Sequence, residues 1–349
     1  MQILLYILTA VLIVASLCAY FPIAHKYNLL AGVNHRSSHT KPVVTGAGFV
    51  FVVSYLVWLV EIVCLGKPVE WWMWSGLLAL AVVSFVDDLT DVWFLIRLLI
   101  QFLSLAAMLW QIQLQSDIHF GFSVVQWLAA LSLLVISVGT VNLCNFMDGI
   151  NGMMGGVGLA MCLTFILIDT YVVDFIDVRW LYFTLIPLLI FMYLNARPQP
   201  KCFLGDVGAV VLGYVFMYAI SLLLIRTGNV VYVLIFAVTY VEAGLTVAQR
   251  LLAGDNIFVS HRIHLFQLMV NEGGKPHLLI SGIYTLIQLL FGMLVFFLNY
   301  FECPILWQHL ICWPLFGLLA VLYLYIKRRA MGGHLLSYRK VANNEHQQP

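Results

Sequence analysis

Long apolar stretches, separated by short polar segments, run along almost the whole chain. Most hold about 15 to 22 residues, close to the roughly 20 that an α-helix needs to cross a bilayer. A helix also satisfies its own backbone hydrogen bonds in lipid. The pattern therefore predicts an all-α polytopic integral membrane protein with about 10–11 transmembrane helices. The eleven candidate spans lie near residues 2–21, 46–65, 71–86, 93–111, 124–141, 153–170, 180–194, 208–225, 230–248, 278–299 and 307–326.

The composition agrees with this pattern and excludes an ordinary water-soluble protein. Of the 349 residues, 63% are hydrophobic and 9% are charged, whereas about 25% of the residues of soluble domains are charged. The mean hydropathy is +0.98 over the whole chain, so a soluble domain with a single anchor is also excluded. The formal net charge is +1 and the longest basic run is Lys327-Arg328-Arg329, so we expect no nucleic-acid partner.

The positive charges predict an orientation. With eleven alternating spans, every Lys and Arg residue except Lys67, Arg179 and Arg226 falls on one side of the membrane. By the positive-inside rule that side is cytoplasmic, which places the N-terminus outside and the C-terminus inside. The first stretch is too long for a signal peptide and should remain as a helix. We expect one multi-span transmembrane domain over residues 1–327 and a disordered polar tail over residues 328–349.

The predicted cytoplasmic loops carry most of the candidate chemistry. They span residues 22–45, 86–92, 142–152, 195–207 and 249–277. In the second loop, Asp87, Asp88 and Asp91 lie within five residues. Adjacent carboxylates repel one another near a membrane, so the cluster favours a bound cation or proton transfer over a solvated helix end. Arg97 follows about one and a half turns into the next helix, where it suits either a phosphate or an interfacial anchor.

Loop 142–152 repeats a polar side chain at every third residue. These residues are Asn142, Asn145, Asp148 and Asn151. Gly149 and Gly152 permit a tight turn or the close approach of a ligand to the backbone. Helix capping and turn formation explain one or two of these residues, but not the whole set between strongly apolar spans.

Asp206 lies between Gly205 and Gly208, where the next helix is predicted to begin. The glycines leave room for a bulky anionic ligand, and the helix N-terminus supplies amide donors and a favourable dipole. The alternative is that Asp206 is only the cap of that helix.

The last loop contains His261, Arg262 and His264. They form a candidate anion clamp, with an interfacial basic loop as the alternative, and their spacing does not match a structural zinc site. A basic loop beside three acidic and amide clusters suits a diphosphate at a membrane surface. The oxygen ligands suit Mg²⁺ or Mn²⁺, and Mg²⁺ is favoured because it shares its shell between carboxylates and substrate phosphates.

In this order the motifs resemble those of the polyprenyl-phosphate N-acetylhexosamine-1-phosphate transferases, glycosyltransferase family 4. This bacterial membrane family starts O-antigen and related surface glycans. The matching motifs are Val86-Asp87-Asp88 with Asp91, residues 142–152, Phe203-Leu204-Gly205-Asp206-Val207-Gly208, residues 261–264, and Arg36-Ser37-Ser38-His39 with Gly46-Ala47-Gly48.

The resemblance implies a transferase in the bacterial inner membrane with its active site facing the cytoplasm. Undecaprenyl phosphate would attack the sugar-bearing phosphorus of a UDP-N-acetylhexosamine, giving undecaprenyl-diphosphate-HexNAc and UMP. Asp206 and Asn145 would bind Mg²⁺, and Asp87 or Asp88 would act on the lipid phosphate. The implied catalytic set is Asp87, Asp88 and Asp148, and the implied substrate-binding set is Arg97, Asn142, Asn151, His261, Arg262 and His264. Membrane lipid is a further partner, and a homodimer is left open.

The last loop also bears on the branch of this family. The peptidoglycan branch, which transfers phospho-N-acetylmuramoyl-pentapeptide, has three consecutive histidines followed by Phe-Glu, and residues 261–267 do not reproduce them. With the Arg-Ser-Ser-His motif, this favours the surface-polysaccharide or O-antigen branch of lipopolysaccharide biosynthesis. The peptidoglycan enzyme stays an alternative, as do an intramembrane prenyltransferase and an ion-coupled transporter. A transporter should carry acids near the bilayer midplane, where Glu61 and Glu242 are the candidates.

Overall fold

The computed structural model of the chain describes residues 2–32, 42–90, 92–116, 124–256 and 262–332. Its helices are α1 (Gln2–Lys26), α2 (Phe49–Cys64), α3 (Trp71–Leu89), α4 (Phe94–Gln115), α5 (Val124–Phe146), α6 (Met153–Tyr171), α7 (Arg179–Asn195), α8 (Gly205–Thr227), α9 (Ala237–Thr239), α10 (Leu245–Leu252), α11 (Leu265–Asn271), α12 (His277–Tyr300) and α13 (Ile305–Ala330). A 3-10 segment (Val230–Phe236) precedes α9 and a π-helical turn (Tyr240–Gly244) follows it. Two short strands, β1 (Leu30–Ala31) and β2 (Val43–Val44), pair antiparallel.

Nine helical segments of the described chain are long and apolar enough to cross a membrane. The segment Val230–Leu252 counts as one of them although its helix is irregular. The helices Phe49–Cys64 and Arg179–Asn195 are apolar but shorter, with 16 and 17 residues. Each segment predicted from the apolar pattern is therefore helical, and the prediction of an all-α polytopic membrane protein is confirmed. The side of the membrane on which each terminus lies stays a prediction.

Every predicted loop begins inside a helix, and in two of them the overlap contains candidate site residues. Because α3 and α5 continue beyond their apolar stretches, Asp87, Asp88, Asn142 and Asn145 lie on final helical turns. The predicted boundaries followed the end of the apolar pattern, whereas the helical hydrogen bonds do not depend on apolar side chains. Polar side chains that find partners on neighbouring helices allow each helix to continue.

Helix α8 forms the centre of the bundle. It packs against α3 and α5, with further contacts to α2, α4 and α6. Most of its residues are buried, whereas α1 and α13 bury narrow faces and expose many apolar side chains. A helix that is apolar all round belongs in a core. The start of α8, which carries Asp206, is consequently held from several sides.

Backbone contacts join the first loop to the start of α8. The N–H groups of Ala47 and Gly48 donate to the carbonyls of Phe203 and Leu204, at 3.1 and 2.8 Å. A Cβ atom on Gly48 would lie 2.2 Å from the Cα of Gly208, so the absence of a side chain is what allows the two backbones to meet. The segment before α2 therefore lies at the same end of the bundle as Asp206.

Candidate active site

Asp88 caps the N-terminus of α8. Its carboxylate accepts the backbone N–H of Asp206 at 2.9 Å and that of Val207 at 3.1 Å. Gly205 has a φ of +73°, and a Cβ atom there would lie 2.5 Å from Asp88 Oδ2. Glycine is therefore required both by the left-handed backbone and by the close approach of the carboxylate. The two charge-assisted hydrogen bonds hold Asp88 in one place against Asp206.

Arg97 joins two further carboxylates. Its Nη1 forms an ion pair with Asp87 and lies 3.3 Å from Asp206 Oδ2. Asp87 also accepts the backbone N–H of Val92 at 3.0 Å. The side chains of Arg97 and Asp206 remain 37% and 35% exposed, so a ligand can reach both. The planar guanidinium has further N–H donors for a phosphate.

Asp148 faces the same cluster from the turn between α5 and α6. It accepts a hydrogen bond from the backbone N–H of Gly205. Burial, followed by the negative charges of Asp206 and Asp88, raises the pKa of Asp148 to about 7. One turn earlier in the chain, the side-chain amide of Asn145 hydrogen-bonds the carboxylate of Asp206. The structure thus brings together four aspartates that come from three separate motifs.

This aspartate cluster, Asp87, Asp88, Asp148 and Asp206, retains negative charge. Among the ion pairs of the described residues, Arg97 supplies one positive charge to it. No group of three or more His, Cys, Asp or Glu side chains in the described ranges is arranged to hold a metal ion by itself. Mg²⁺ does not require one, because it commonly binds through one or two carboxylates together with water and substrate phosphates. The donor set therefore fits Mg²⁺ shared with a phosphate ligand.

An apolar slot between α4 and α5 leads to this cluster. The slot has a volume of about 360 Å³ and is lined along most of its length by apolar side chains such as Phe94, Leu98 and Val138. Arg97, Asn145 and Asp206 also line it. A slot with apolar walls and a charged end fits an amphiphile whose head carries a phosphate.

Two predicted substrate-binding amides already have protein partners. Asn142 Nδ2 donates to Gln101 Oε1 and to the carbonyl of Val138, both at 2.8 Å, which ties α5 to α4. Asn151 is buried, and its Nδ2 donates to the carbonyl of Arg197 at 2.9 Å. Both side chains hold the walls of the site together in this structure. Asn142 also lines the apolar slot.

His264 is buried inside the protein. It is 3% exposed, its ring stacks on Phe266 at 5.3 Å, and its Nδ1 lies 3.3 Å from Glu242 Oε1. Burial, its largest influence, lowers the pKa of His264, which favours the neutral imidazole. This placement disagrees with an anion clamp formed by His264. Arg262, two residues earlier, is partly buried.

Several predicted residues lie outside the described part of the chain. They are Arg36, Ser37, Ser38, His39, Asp91, His261 and the tail from residue 333 onward. Their roles stay predictions.

Glu242 is a site-adjacent residue that the motif analysis did not assign. It is 1% exposed, and its carboxylate accepts the backbone N–H of Leu265 at 2.8 Å and the hydroxyl of Tyr284. Phe266 and Gln267 in turn pack on Gly149, next to Asp148. The sequence does show that Glu242 is an acid inside an apolar span. Placing a carboxylate there costs free energy, so such a residue indicates a functional or structural contact.

Comparison with known proteins agrees with the predicted family over the centre of the chain. Residues 71–225 match glycosyl transferase family 4, a range that includes the aspartate cluster and ends before the loop of His264. The chain is similar to the phospho-N-acetylmuramoyl-pentapeptide-transferase of Fervidobacterium nodosum, with 29% identity over 54% of this chain and 60% of that protein. The transferases of the same name from Lactococcus lactis and Latilactobacillus sakei share 30% and 32% identity, over 54% and 40% of this chain and 61% and 43% of theirs.

These matches confirm the resemblance to glycosyl transferase family 4 for residues 71–225. The chain spans about 60% of the length of the Fervidobacterium relative. The O-antigen branch is not confirmed, because these relatives carry the name of the peptidoglycan enzyme that the sequence analysis kept as its alternative.

Proposed function

We propose that this chain is a phosphotransferase that moves a HexNAc-1-phosphate from a UDP-N-acetylhexosamine to undecaprenyl phosphate. The observation that carries this proposal is the aspartate cluster with Arg97, placed where an apolar slot ends. An oxygen of the lipid phosphate attacks the sugar-bearing phosphorus, the bond from that phosphorus to the UMP oxygen breaks, and UMP leaves. The products are undecaprenyl-diphosphate-HexNAc and UMP. The site faces the cytoplasm of a bacterial inner membrane.

The slot between α4 and α5 supports a lipid acceptor. Its apolar walls suit an isoprenoid chain, while Arg97 at its end suits the phosphate. Because Arg97 also contacts Asp87 and Asp206, it would place the acceptor phosphate beside both carboxylates. Most of the catalysis of phosphoryl transfer is positioning and charge neutralisation, which these residues supply without a covalent nucleophile.

Asp206 and Asn145 are the residues that would hold Mg²⁺. Their side chains are in contact through a hydrogen bond from the Asn145 amide to the Asp206 carboxylate, and both carry the oxygen atoms that Mg²⁺ prefers. When bound, Mg²⁺ neutralises phosphate charge and polarises the phosphorus under attack. Asp88 fixes the start of α8 and thereby the position of Asp206. Asp87 orients Arg97, and Asp148 holds or releases a proton near neutral pH.

A second candidate is the transfer of phospho-N-acetylmuramoyl-pentapeptide to the same lipid. The names of the relatives favour it, whereas the residues of the 261–267 loop favour the surface-polysaccharide branch. Both reactions use the same acceptor phosphate and release UMP, so the aspartate cluster serves either one.

The test is UMP release by purified protein in detergent, with undecaprenyl phosphate, Mg²⁺ and a panel of donors. The panel contains UDP-N-acetylglucosamine, UDP-N-acetylgalactosamine and UDP-N-acetylmuramoyl-pentapeptide, with matched samples in EDTA or without lipid. Lipid- and metal-dependent UMP from an N-acetylhexosamine donor supports the first proposal. UMP from the pentapeptide donor supports the second, and no UMP from any of the three in folded protein contradicts both.

A further inference from the structure

Lys327 is a fully buried cation in the last turn of α13. It has 0% exposure, whereas its neighbours Arg328 and Arg329 are exposed. Its Nζ donates to Thr246 Oγ1 at 2.7 Å and to the Tyr323 hydroxyl at 2.9 Å. No carboxylate of the described residues forms a direct ion pair with it. Burying an ammonium costs several kcal/mol, so ordinary packing does not explain a lysine here.

The most deeply buried residues of α13 near its C-terminus are two, one turn apart. They are Tyr323 and Lys327, in the second half of this 26-residue helix. Leu319, Ala320 and Leu324 are partly buried beside Tyr323. Residues four apart share a helix face. The contact of α13 with the bundle therefore combines a small apolar cluster with a polar network at Tyr323 and Lys327.

This network leads from Lys327 to Glu242. The Tyr323 hydroxyl lies 2.8 Å from Thr246 Oγ1, 3.2 Å from the carbonyl of Glu242 and 3.4 Å from its Oε1. Thr246 Oγ1 also donates to the carbonyl of Glu242 at 2.7 Å. One hydroxyl thus contacts both the ammonium and the carboxylate, and in a buried network each such contact restricts the orientation of the next group.

The same network continues from Glu242 to the turn of Asp148. Glu242 Oε1 accepts the N–H of Leu265, the first residue of α11. The second residue of α11, Phe266, packs on Gly149, and a Cβ atom at Gly149 would lie 2.7 Å from its ring. The start of α11 is therefore clamped between a carboxylate on one side and the active-site turn on the other.

We propose that Lys327 is a positioning residue, which rests on the proposed function for its catalytic consequence. Through Tyr323 and Thr246 it fixes the carboxylate of Glu242, and Glu242 fixes the start of α11 against the turn that carries Asp148. Arg262, which is predicted to bind the diphosphate or sugar of the sugar nucleotide, lies three residues before the start of α11. Loss of the ammonium should therefore raise the KM for the sugar nucleotide more than it lowers kcat.

The test compares Lys327→Met with Arg329→Met, which removes the same charge from the exposed side of the same turn. Hydrogen exchange followed by mass spectrometry reads the amides of residues 262–271, independently of activity. We expect these amides, with Leu265 foremost, to exchange about tenfold faster in Lys327→Met, as for the loss of one hydrogen bond to a charged group. Peptides from α3 and α8 should be unchanged, and Arg329→Met should match the wild type throughout.

The kinetic measurement is the KM for the sugar nucleotide and kcat, at saturating undecaprenyl phosphate. We expect KM to rise about tenfold in Lys327→Met with a smaller fall in kcat, and Tyr323→Phe to move in the same direction by less. Because Lys327 and Glu242 act along one path, Lys327→Met combined with Glu242→Gln should cost little more than the worse single variant. If Lys327→Met fails to fold, Tyr323→Phe tests the same path, because the hydroxyl that it removes contacts both Lys327 and Glu242.

Unchanged exchange at residues 262–271 in folded Lys327→Met or Tyr323→Phe would overturn the positioning role. A purely structural lysine would instead speed exchange in all helices alike and lower kcat without changing KM. An inactive wild type would contradict the proposed function, while faster exchange confined to residues 262–271 would still support the link from Lys327 to α11.

Discussion

Acidic side chains gather at both ends of α3, but they are satisfied in different ways. At the end where α3 begins, Glu70 Oε1 accepts Gln115 Nε2 at 2.7 Å and Glu70 Oε2 accepts Trp180 Nε1 at 3.1 Å. Asp177 in the same region forms an ion pair with Arg179. At the other end, about 28 Å away for a 19-residue helix, the four members of the aspartate cluster face one another.

The difference separates structural acids from candidate functional ones. Glu70 and Asp177 have neutral donors or a cation of their own, so their charge is used within the fold. In the aspartate cluster, Asp148 is affected by the charges of Asp88 and Asp206, and burial leaves the repulsion poorly screened. Such an arrangement is stabilised by a ligand of opposite charge.

Asp206→Asn should lower UMP release about 100- to 1000-fold. It removes a negative charge that would bind Mg²⁺ and that forms an ion pair with Arg97. The matched control is Asp169→Asn at the other end, since Asp169 accepts only the N–H groups of Phe175 and Ile176 among the hydrogen bonds described for it. We expect Asp169→Asn to retain activity within about twofold. Near-normal turnover of Asp206→Asn at saturating Mg²⁺ would remove Asp206 from the site.

Arg97→Met should raise the KM for undecaprenyl phosphate and lower kcat/KM about 10- to 100-fold, the usual effect of losing charge-assisted hydrogen bonds. Arg179→Met is the control, because Arg179 also pairs with an aspartate but at the opposite end. The comparison is made at fixed ionic strength with the lipid concentration varied. Equal effects of the two variants would contradict the distinction between the two ends.

The stability of the cation-free protein should depend on Asp148. Its pKa in the folded protein is about 7, against about 4 for an unfolded aspartate. Between these values the folded protein binds more protons, so the free energy of unfolding falls as the pH rises. We expect Tm in detergent to fall by about 5 °C more in the wild type than in Asp148→Asn as the pH rises through this range. Identical pH slopes for the two proteins would refute it.

Glu70→Gln should have the smallest effect. Burial, its largest influence, raises the pKa of Glu70, so the neutral amide resembles the form that burial favours. We expect UMP release to stay within about twofold of the wild type, and Tm in detergent to change little. Asp88→Asn, measured beside it, removes a carboxylate of the aspartate cluster and should reduce activity strongly. A large loss in Glu70→Gln would show that the start of α3 also serves the reaction.

The amino-acid sequence predicts this structure well where local pattern determines it. The apolar stretches predicted the helices. The motif order predicted that Asp87, Asp88, Asp148 and Asp206 serve one site. The structure brings these side chains together, and their role in a reaction stays a prediction. The placement of Asp87 and Asp88 on a helix was missed because polar side chains can continue a helix when other segments supply their partners. The start of α8 does so for Asp88, and Val92 and Arg97 do so for Asp87.

Burial of individual polar residues was harder to predict. In the sequence, a buried His264 cannot be distinguished from an exposed histidine that binds phosphate. Its partner Glu242 lies 22 residues earlier in the chain, and only the structure shows that the two side chains are neighbours. Lys327 was taken as part of a basic run. Its burial depends on Thr246 in another helix, and no periodicity in the sequence reports such a pair.

The backbone contacts between Ala47–Gly48 and Phe203–Leu204 also determine when, during synthesis, this part of the fold can form. The two segments are separated by roughly 150 residues, and at a synthesis rate of about 5 to 20 residues per second the first waits roughly 10 to 30 s for the second. During that interval the first loop lacks its neighbour, and Asp88 lacks the amides of α8. The aspartate cluster can therefore form only after the start of α8 has been synthesised.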